Sequence, residues 1–284
     1  MLVLLGLVYN GLLNLDFSTL RCASVLARIG LAWMFAALLY LHFGWRLRAV
    51  FSVVVLVGYY LLLRFVAAPD MPAGTDPLSM EGNMVGYIDR LFLPGRLIYC
   101  DGRFDPEGLL SLLPAIVTAL LGMFAGELVR KPADKCPGNR KVLYMMVASV
   151  VMLVVGLVWS LDFPINKMLW SSTFVLVVGA YSLVLFAAFH YLIDVKGWWG
   201  EKSSLVFRVV GMNSIFIYLA SNLVSFQNLK VHLFGVFGKL ALAMPASWGL
   251  DNRGWAVVIL AAGYVFIHWY LCWFLYRKKI FFKV

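Results

Sequence analysis

Seven runs of mainly apolar residues, each close to the about 20 residues that a membrane-spanning helix needs, divide the chain: 25–41, 49–68, 109–128, 142–161, 169–193, 205–224 and 255–275. Short polar connections separate most of them. An eighth apolar stretch, Met1–Leu13, reaches only about 20 Å at 1.5 Å per residue and reads as the tail of a helix. The stretch Val231–Ala243 is apolar but broken by His232, Gly235, Gly238 and Lys239, which suits an interfacial or half-inserted helix better than a span. The long connection 69–108 opens with turn residues (Pro69, Asp70, Pro72, Gly74, Pro77) and continues with an amphipathic piece, Met84–Leu93. No repeat or low-complexity tract is visible. The expected fold is all-α: a polytopic transmembrane helix bundle of about seven full spans, a partial N-terminal helix and an interfacial helix, in one transmembrane domain over residues 1–284.

Composition agrees with the pattern. Of the 284 residues, 63% are hydrophobic and 13% charged, with a mean hydropathy of +0.87, whereas a soluble domain carries about a quarter charged residues. The net charge of +10 does not point to nucleic acid, because the basic residues flank apolar runs and form no patch. Their distribution instead sets orientation. The connections 42–48, 129–141, 194–204 and the tail Tyr276–Val284 hold 13 of the 24 basic residues, so this side and the C-terminus are expected in the cytoplasm. The longer connections on the other side hold ten of the 14 acidic residues. The start of the chain lacks the charged n-region and small-residue site of a cleavable signal peptide. Cys22, Cys100, Cys136 and Cys272 show no metal-ligand spacing with the four histidines and read as small buried hydrophobes; no metal is expected.

Three local patterns carry candidate chemistry. Asp105-Pro106-Glu107-Gly108 leads into an apolar run. Asp105 as N-cap, Pro106 at the first helical position and Glu107 beside the positive helix end make a helix start; alternatively the two carboxylates hold an amine or sugar hydroxyls at the outer mouth of the bundle. Asp162-Phe163-Pro164-Ile165-Asn166-Lys167, followed by Trp170, Ser171 and Ser172, supplies turn residues that are also several hydrogen-bond donors at one membrane depth. Arg28 and Arg208 lie within apolar runs, where a charge costs several kcal/mol unless paired or hydrated; a snorkelling helix-end arginine is the bland alternative. The histidines His42, His190, His232 and His268 form no catalytic motif. Gly122-Met123-Phe124-Ala125-Gly126 reads as a close helix-packing motif.

Taken in order, Ser18-Thr19-Leu20-Arg21, Val25-Leu26-Ala27-Arg28-Ile29-Gly30, Asp105-Pro106-Glu107-Gly108-Leu109-Leu110 and Pro164-Ile165-Asn166-Lys167 with Leu169-Trp170-Ser171-Ser172 resemble the heparan-α-glucosaminide N-acetyltransferase family, and its bacterial inner-membrane members most. Ile193-Asp194-Val195-Lys196-Gly197-Trp198 and Gly211-Met212-Asn213-Ser214 fit as well. The resemblance covers nearly the whole chain and implies transfer of acetyl from cytoplasmic acetyl-CoA to the amino group of a glucosamine-type sugar outside. It implies substrate contacts at Asp105, Glu107, Asn166, Lys167, Trp170 and Ser171, and contacts to acetyl-CoA at Arg21, Arg28, Arg208 and Asn213. The lipid bilayer and an amino sugar are then the partners, with a homo-oligomer admitted. The family's active-site histidine and its neighbouring asparagine lie in a loop preceding the region matched here. Met1 is therefore expected to lie downstream of the true start, or the chain to be catalytically incomplete. The alternatives are an amino-sugar permease, for which the expected internal repeat is missing, and a non-catalytic membrane protein.

Overall fold

The computed structural model describes residues 1–17, 20–223, 226–243 and 252–282; Ser18 and Thr19 of the first motif lie outside the described residues. Within them the regular structure is helical, apart from isolated β-bridges at Arg21–Gly95 and Tyr99–Phe104. Its internal contacts divide it into two units, 1–198 and 199–284, which are taken in turn.

The first unit contains α1 (Leu2–Tyr9), α2 (Val25–His42), α3 (Trp45–Phe65), the short α4 (Met84–Phe92), α5 (Leu112–Arg130), α6 (Gly138–Trp159) and α7 (Ser172–His190), the last continued by a π-helical turn over Tyr191–Val195. Helices α2, α3, α5, α6 and α7 are each long and apolar enough to span a membrane, and they read so because they present large hydrophobics outward. Trp33, Val53, Val147, Val154 and Leu185 are all exposed, which is costly in water and neutral against lipid. The buried seams use smaller residues. Ala32 and Ala36 of α2 pack on Ala115, Ile116 and Leu120 of α5. Gly156 of α6 has no room for a side chain, since a Cβ there would stand 2.8 Å from Val177 of α7, and Ser149 donates to the Ala180 carbonyl across the same pair at 2.9 Å. The glycines of the predicted packing motif do not serve this purpose. Nothing lies within 4 Å of a Cβ built on Gly122 or Gly126.

The five spans alternate in direction. One end of the unit therefore carries the long connection from Val66 to Ser111 and the turn 160–171. The other end carries the tight turn at Phe43–Gly44 and the connection 131–137. We call these the loop end and the turn end. At the loop end, Tyr59 and Leu63 of α3, Val85 of α4, Phe104, Phe163 and Leu169 form a buried cluster that roofs the bundle. Arg90 of α4 clamps Asp70 with two 2.7 Å hydrogen bonds and donates a third to the Arg103 carbonyl, so the long connection is tied down at both its start and its end.

The second unit holds α8 (Glu201–Gly211), α9 (Ser214–Leu223), α10 (Phe226–Ala243) and α11 (Asn252–Arg277). The run read as one span at 205–224 is broken: its two helices meet at a 63° bend across Met212–Asn213. At the bend the Asn213 N–H donates to the Val210 carbonyl and its own carbonyl accepts from the Ile217 N–H, while its side chain holds the C-terminal tail. Its amide donates to the Ile280 carbonyl and its oxygen accepts from the Phe282 N–H. The stretch 231–243 belongs to a continuous α10 that runs antiparallel along α11, with Phe226 on His268, Phe234 on Gly263 and Gly238 on Leu260. Helix α11 completes a set of six helices among the described residues that are long and apolar enough to cross a membrane, or seven with the bent pair.

Candidate functional site

The segment ahead of α2 is extended and pinned. Asn10, just past α1, donates to the carbonyls of Arg21 and Ala23 at 2.9 and 2.7 Å, and the Leu20 carbonyl accepts from the Arg96 N–H at 3.0 Å. This aims the Arg21 side chain at the connection before α5. Its guanidinium takes both oxygens of Asp105, at 2.7 and 2.6 Å, and also Glu107. Burial opposes the arginine's charge, but the hydrogen bonds and charges of the two carboxylates outweigh it and hold the guanidinium more firmly protonated than usual.

The capping expectation at Asp105 fails for the same reason. Helix α5 starts only at Leu112, because Asp105 turns the chain locally, accepting from the Glu107 N–H at 2.9 Å, and gives its oxygens to Arg21. Asp105 is 0% exposed, while the side chains of Arg21 and Glu107 remain 18% and 16% exposed. Of the two carboxylates, Glu107 alone reaches the surface.

Arg28, one turn into α2, is buried beneath this pair. It donates to Ser111 at 2.7 Å, stands 4.6 Å over the Trp170 ring, and lies in the field of Glu107, Asp105 and Asp89. Cation–π contact at a desolvated site is worth about 2 kcal/mol, and the carboxylates offset much of the cost of burying the charge.

Trp170 reaches the arginine through an unusual backbone. Its φ of +52° is a left-handed conformation that a bulky residue adopts only when its surroundings over-determine it. Asn166 and Ser171 do so. The Asn166 side-chain oxygen accepts from the Met168 and Leu169 N–H groups, and Ser171 N–H closes back on the Asn166 carbonyl at 3.0 Å. The Ser171 hydroxyl donates to the Pro164 carbonyl and caps α7 at Phe174. Trp170 then anchors on α5 through a 3.2 Å hydrogen bond to Thr118. Asn166 and Ser171 hold the turn that presents Trp170; Lys167 is exposed on its rim.

Besides Ser111, sequence reasoning passed over two members of the site. Asp89 of α4 is fully buried; one oxygen accepts from the Leu109 N–H at 2.8 Å and the other has no partner among the described residues. It packs so closely on Gly108 that a Cβ there would lie 1.8 Å from the carboxylate. Burial pushes its pKa up to about 7, with the Asp105 charge adding to the effect, while the Leu109 N–H, Arg28 and Arg90 pull it down. The signal was available: Asp89 stands one turn after the buried Val85, a charge on the apolar face of an amphipathic helix. Tyr59, which donates to the Leu169 carbonyl at 2.5 Å, is the other.

The site so assembled joins Arg21, Arg28, Tyr59, Asp89, Asp105, Glu107, Ser111 and Trp170. Arg208 and Asn213 belong to the second unit, where Arg208 donates to Ser204 at 3.1 Å. Cys22 carries a free thiol. Among the described residues no three histidine, cysteine or carboxylate side chains are grouped to hold a metal.

Set against known proteins, the chain is 26% identical to human heparan-alpha-glucosaminide N-acetyltransferase over 95% of its own length and 45% of the relative's. It is 28% identical to the mouse protein of the same name over 72% of its length and 30% of that relative's. The chain resembles heparan-alpha-glucosaminide N-acetyltransferases. It spans less than half the length of these curated relatives. No family model matches it. With its apolar helices and this similarity, it is a multi-pass membrane protein.

Proposed function

We propose that this chain forms the membrane core of an acetyltransferase that passes acetyl from cytoplasmic acetyl-CoA to the amino group of a glucosamine-type sugar on the opposite side. The observation that carries this reading is the buried charge cluster at the loop end, found in a chain similar to such enzymes over nearly its whole length. Arg21 and Arg28 face Asp105 and Glu107, so the cluster is neutral while Asp89 is protonated and carries one negative charge once Asp89 ionises. Such a site suits an amine, which binds as a cation and must lose a proton to become acetylated. It does not suit polyphosphate, because its two arginines are already matched by carboxylates.

The roles divide by exposure. Glu107 contacts the acceptor amine. Asp105, sealed behind Arg21, positions Glu107 and Arg21. Trp170 provides an aromatic face for the sugar ring, with Lys167 at the rim, and Asn166 and Ser171 act through the turn that holds Trp170. Asp89 sets the charge of the cluster. The phosphates of acetyl-CoA fall to Arg130, Lys135 and Arg140, exposed at the turn end; the excess of Lys and Arg in its connections supports a cytoplasmic location for that end, and a bacterial inner membrane is the setting the resemblance implies. The test is acetyl-CoA consumption by membranes containing the full-length protein, with and without glucosamine, and mass analysis of the sugar. N-acetylated sugar without net uptake supports the enzyme. Uptake of unmodified sugar supports a permease and overturns the reading.

A further inference from the structure

The turn end has its own buried arginine, separate from the loop-end cluster. Arg48, one turn into α3, is only 4% exposed. Its guanidinium lies between two rings, 4.6 Å from the centre of Tyr40 and 5.3 Å from that of Phe124. One nitrogen donates to Glu127 of α5 at 2.6 Å. The Nε and the other terminal nitrogen are buried and have no hydrogen-bond partner among the described residues. A buried donor left unmade costs about 1–3 kcal/mol, and more on a charged group, so an arginine with two idle donors is a poor device for holding a helix pair together.

Beside it opens a cavity of about 440 Å³, lined by Arg48, Glu127, Trp45, Phe124 and Lys131, within the range of about 300–1,000 Å³ typical of small-molecule sites. Glu127 is 29% exposed, and Lys131 and Trp45 are exposed at the rim. Arg48 and Lys131 against Glu127 leave one net positive charge. The wall charge thus fits a monoanion and repels a second negative charge through Glu127. The cavity also lies where α2 and α3 meet at their two-residue turn and where α5 ends. That is the depth at which a spanning helix passes through phospholipid headgroups, with exposed Trp45, Phe43 and Leu41 at the same level.

We propose that this cavity binds a monoanionic phosphodiester, with Arg48 and Lys131 as its cationic contacts and Trp45 as its apolar wall. Basic pockets between spans are a recurrent means of holding anionic headgroups, and the diester of an anionic phospholipid is the source that the position favours. A soluble phosphodiester of the same chemistry is the other source. The site is independent of acetyl transfer and stands or falls separately from it.

The experiment is native mass spectrometry of the delipidated full-length protein in detergent, titrated with phosphatidylglycerol, with zwitterionic phosphatidylcholine, and with glycerophosphoglycerol, a monoanionic diester without acyl chains, as the soluble probe. Wild-type protein retains phosphatidylglycerol over phosphatidylcholine. Lys131→Gln, on the exposed rim and in no ion pair of the fold, weakens that retention by about tenfold, the scale of one lost charge-assisted contact. Arg48→Met weakens it at least as much, and Lys135→Gln, outside the cavity, leaves it unchanged. Glycerophosphoglycerol bound with the same sensitivities assigns the site to a soluble phosphodiester. Retention that is equal for both lipids and absent for glycerophosphoglycerol, unchanged in Lys131→Gln, or lowered equally by Lys135→Gln, overturns the proposal.

Discussion

The two ends of the first unit solve one problem differently. Each buries an arginine on an aromatic ring beside a carboxylate: Arg28 over Trp170 at the loop end, Arg48 over Tyr40 and Phe124 at the turn end. At the loop end, three acidic side chains surround two arginines, and both oxygens of Asp105 are matched by Arg21. At the turn end, a single partly exposed carboxylate meets the arginine and two donors stay idle. The loop end is closed around its charges, whereas the turn end is open beside them. A buried charge therefore does not say by itself what a site takes; the groups left open do, an exposed Glu107 edge and an unpartnered Asp89 oxygen for a cation at the loop end, and arginine donors for an anion at the turn end.

The sharpest way to break this comparison is to remove one cation from each end. Arg21→Met leaves Asp105 sealed in without its ion-pair partner, which typically costs about 3–5 kcal/mol; the variant is expected to unfold at markedly lower temperature in detergent. Arg48→Met strands a carboxylate that water reaches, and its loss is expected to be clearly the smaller. Equal losses contradict the distinction.

Asp89 gives the next largest effect. Its folded pKa of about 7 lies above the ordinary value of 3.8, so between those values the folded state holds a proton that the unfolded chain has released. Stability from this group is intact below about pH 4, falls by about 1.4 kcal/mol for each pH unit on the way to about pH 7, and is constant above. Asp89→Asn, which keeps the shape of the protonated acid, is expected to match wild type below about pH 4 and to exceed it by a margin that grows up to about pH 7 and is constant above. Parallel pH curves for the two proteins contradict this.

Gly108→Ala places a methyl group against the Asp89 carboxylate and is expected to cost about 1–3 kcal/mol. Gly122→Ala, in open space, serves as its control. The smallest effect is at Lys167, exposed on the Trp170 turn: Lys167→Ala is expected to change stability by less than about 0.5 kcal/mol while raising the KM for the amino sugar under the proposed function.

Most of the fold could be read from the chain because lipid-facing spans need only length and apolarity. Residues 205–224 show where that rule stops. Their composition suits a span, but the run bends by 63° where the Asn213 side chain holds Ile280 and Phe282, a partnership between segments far apart in sequence. The site was legible at Arg21, Arg28, Asp105, Glu107 and Trp170, where charge or shared motifs draw the eye. Asp105 nonetheless looked like a helix cap, since the competing claim of Arg21 depends on how Asn10 and Arg96 pin the segment 20–23. Asp89 was missed because a carboxylate in an extramembrane amphipathic piece looks solvated until Gly108 is seen to cover it.

The most direct test of the central claim uses sealed vesicles containing the full-length protein, with labelled acetyl-CoA on the turn-end side and glucosamine on the loop-end side. The account predicts labelled N-acetylglucosamine on the glucosamine side, in an amount that falls in Glu107→Gln. Glucosamine crossing the membrane unmodified while the label stays on CoA would contradict it.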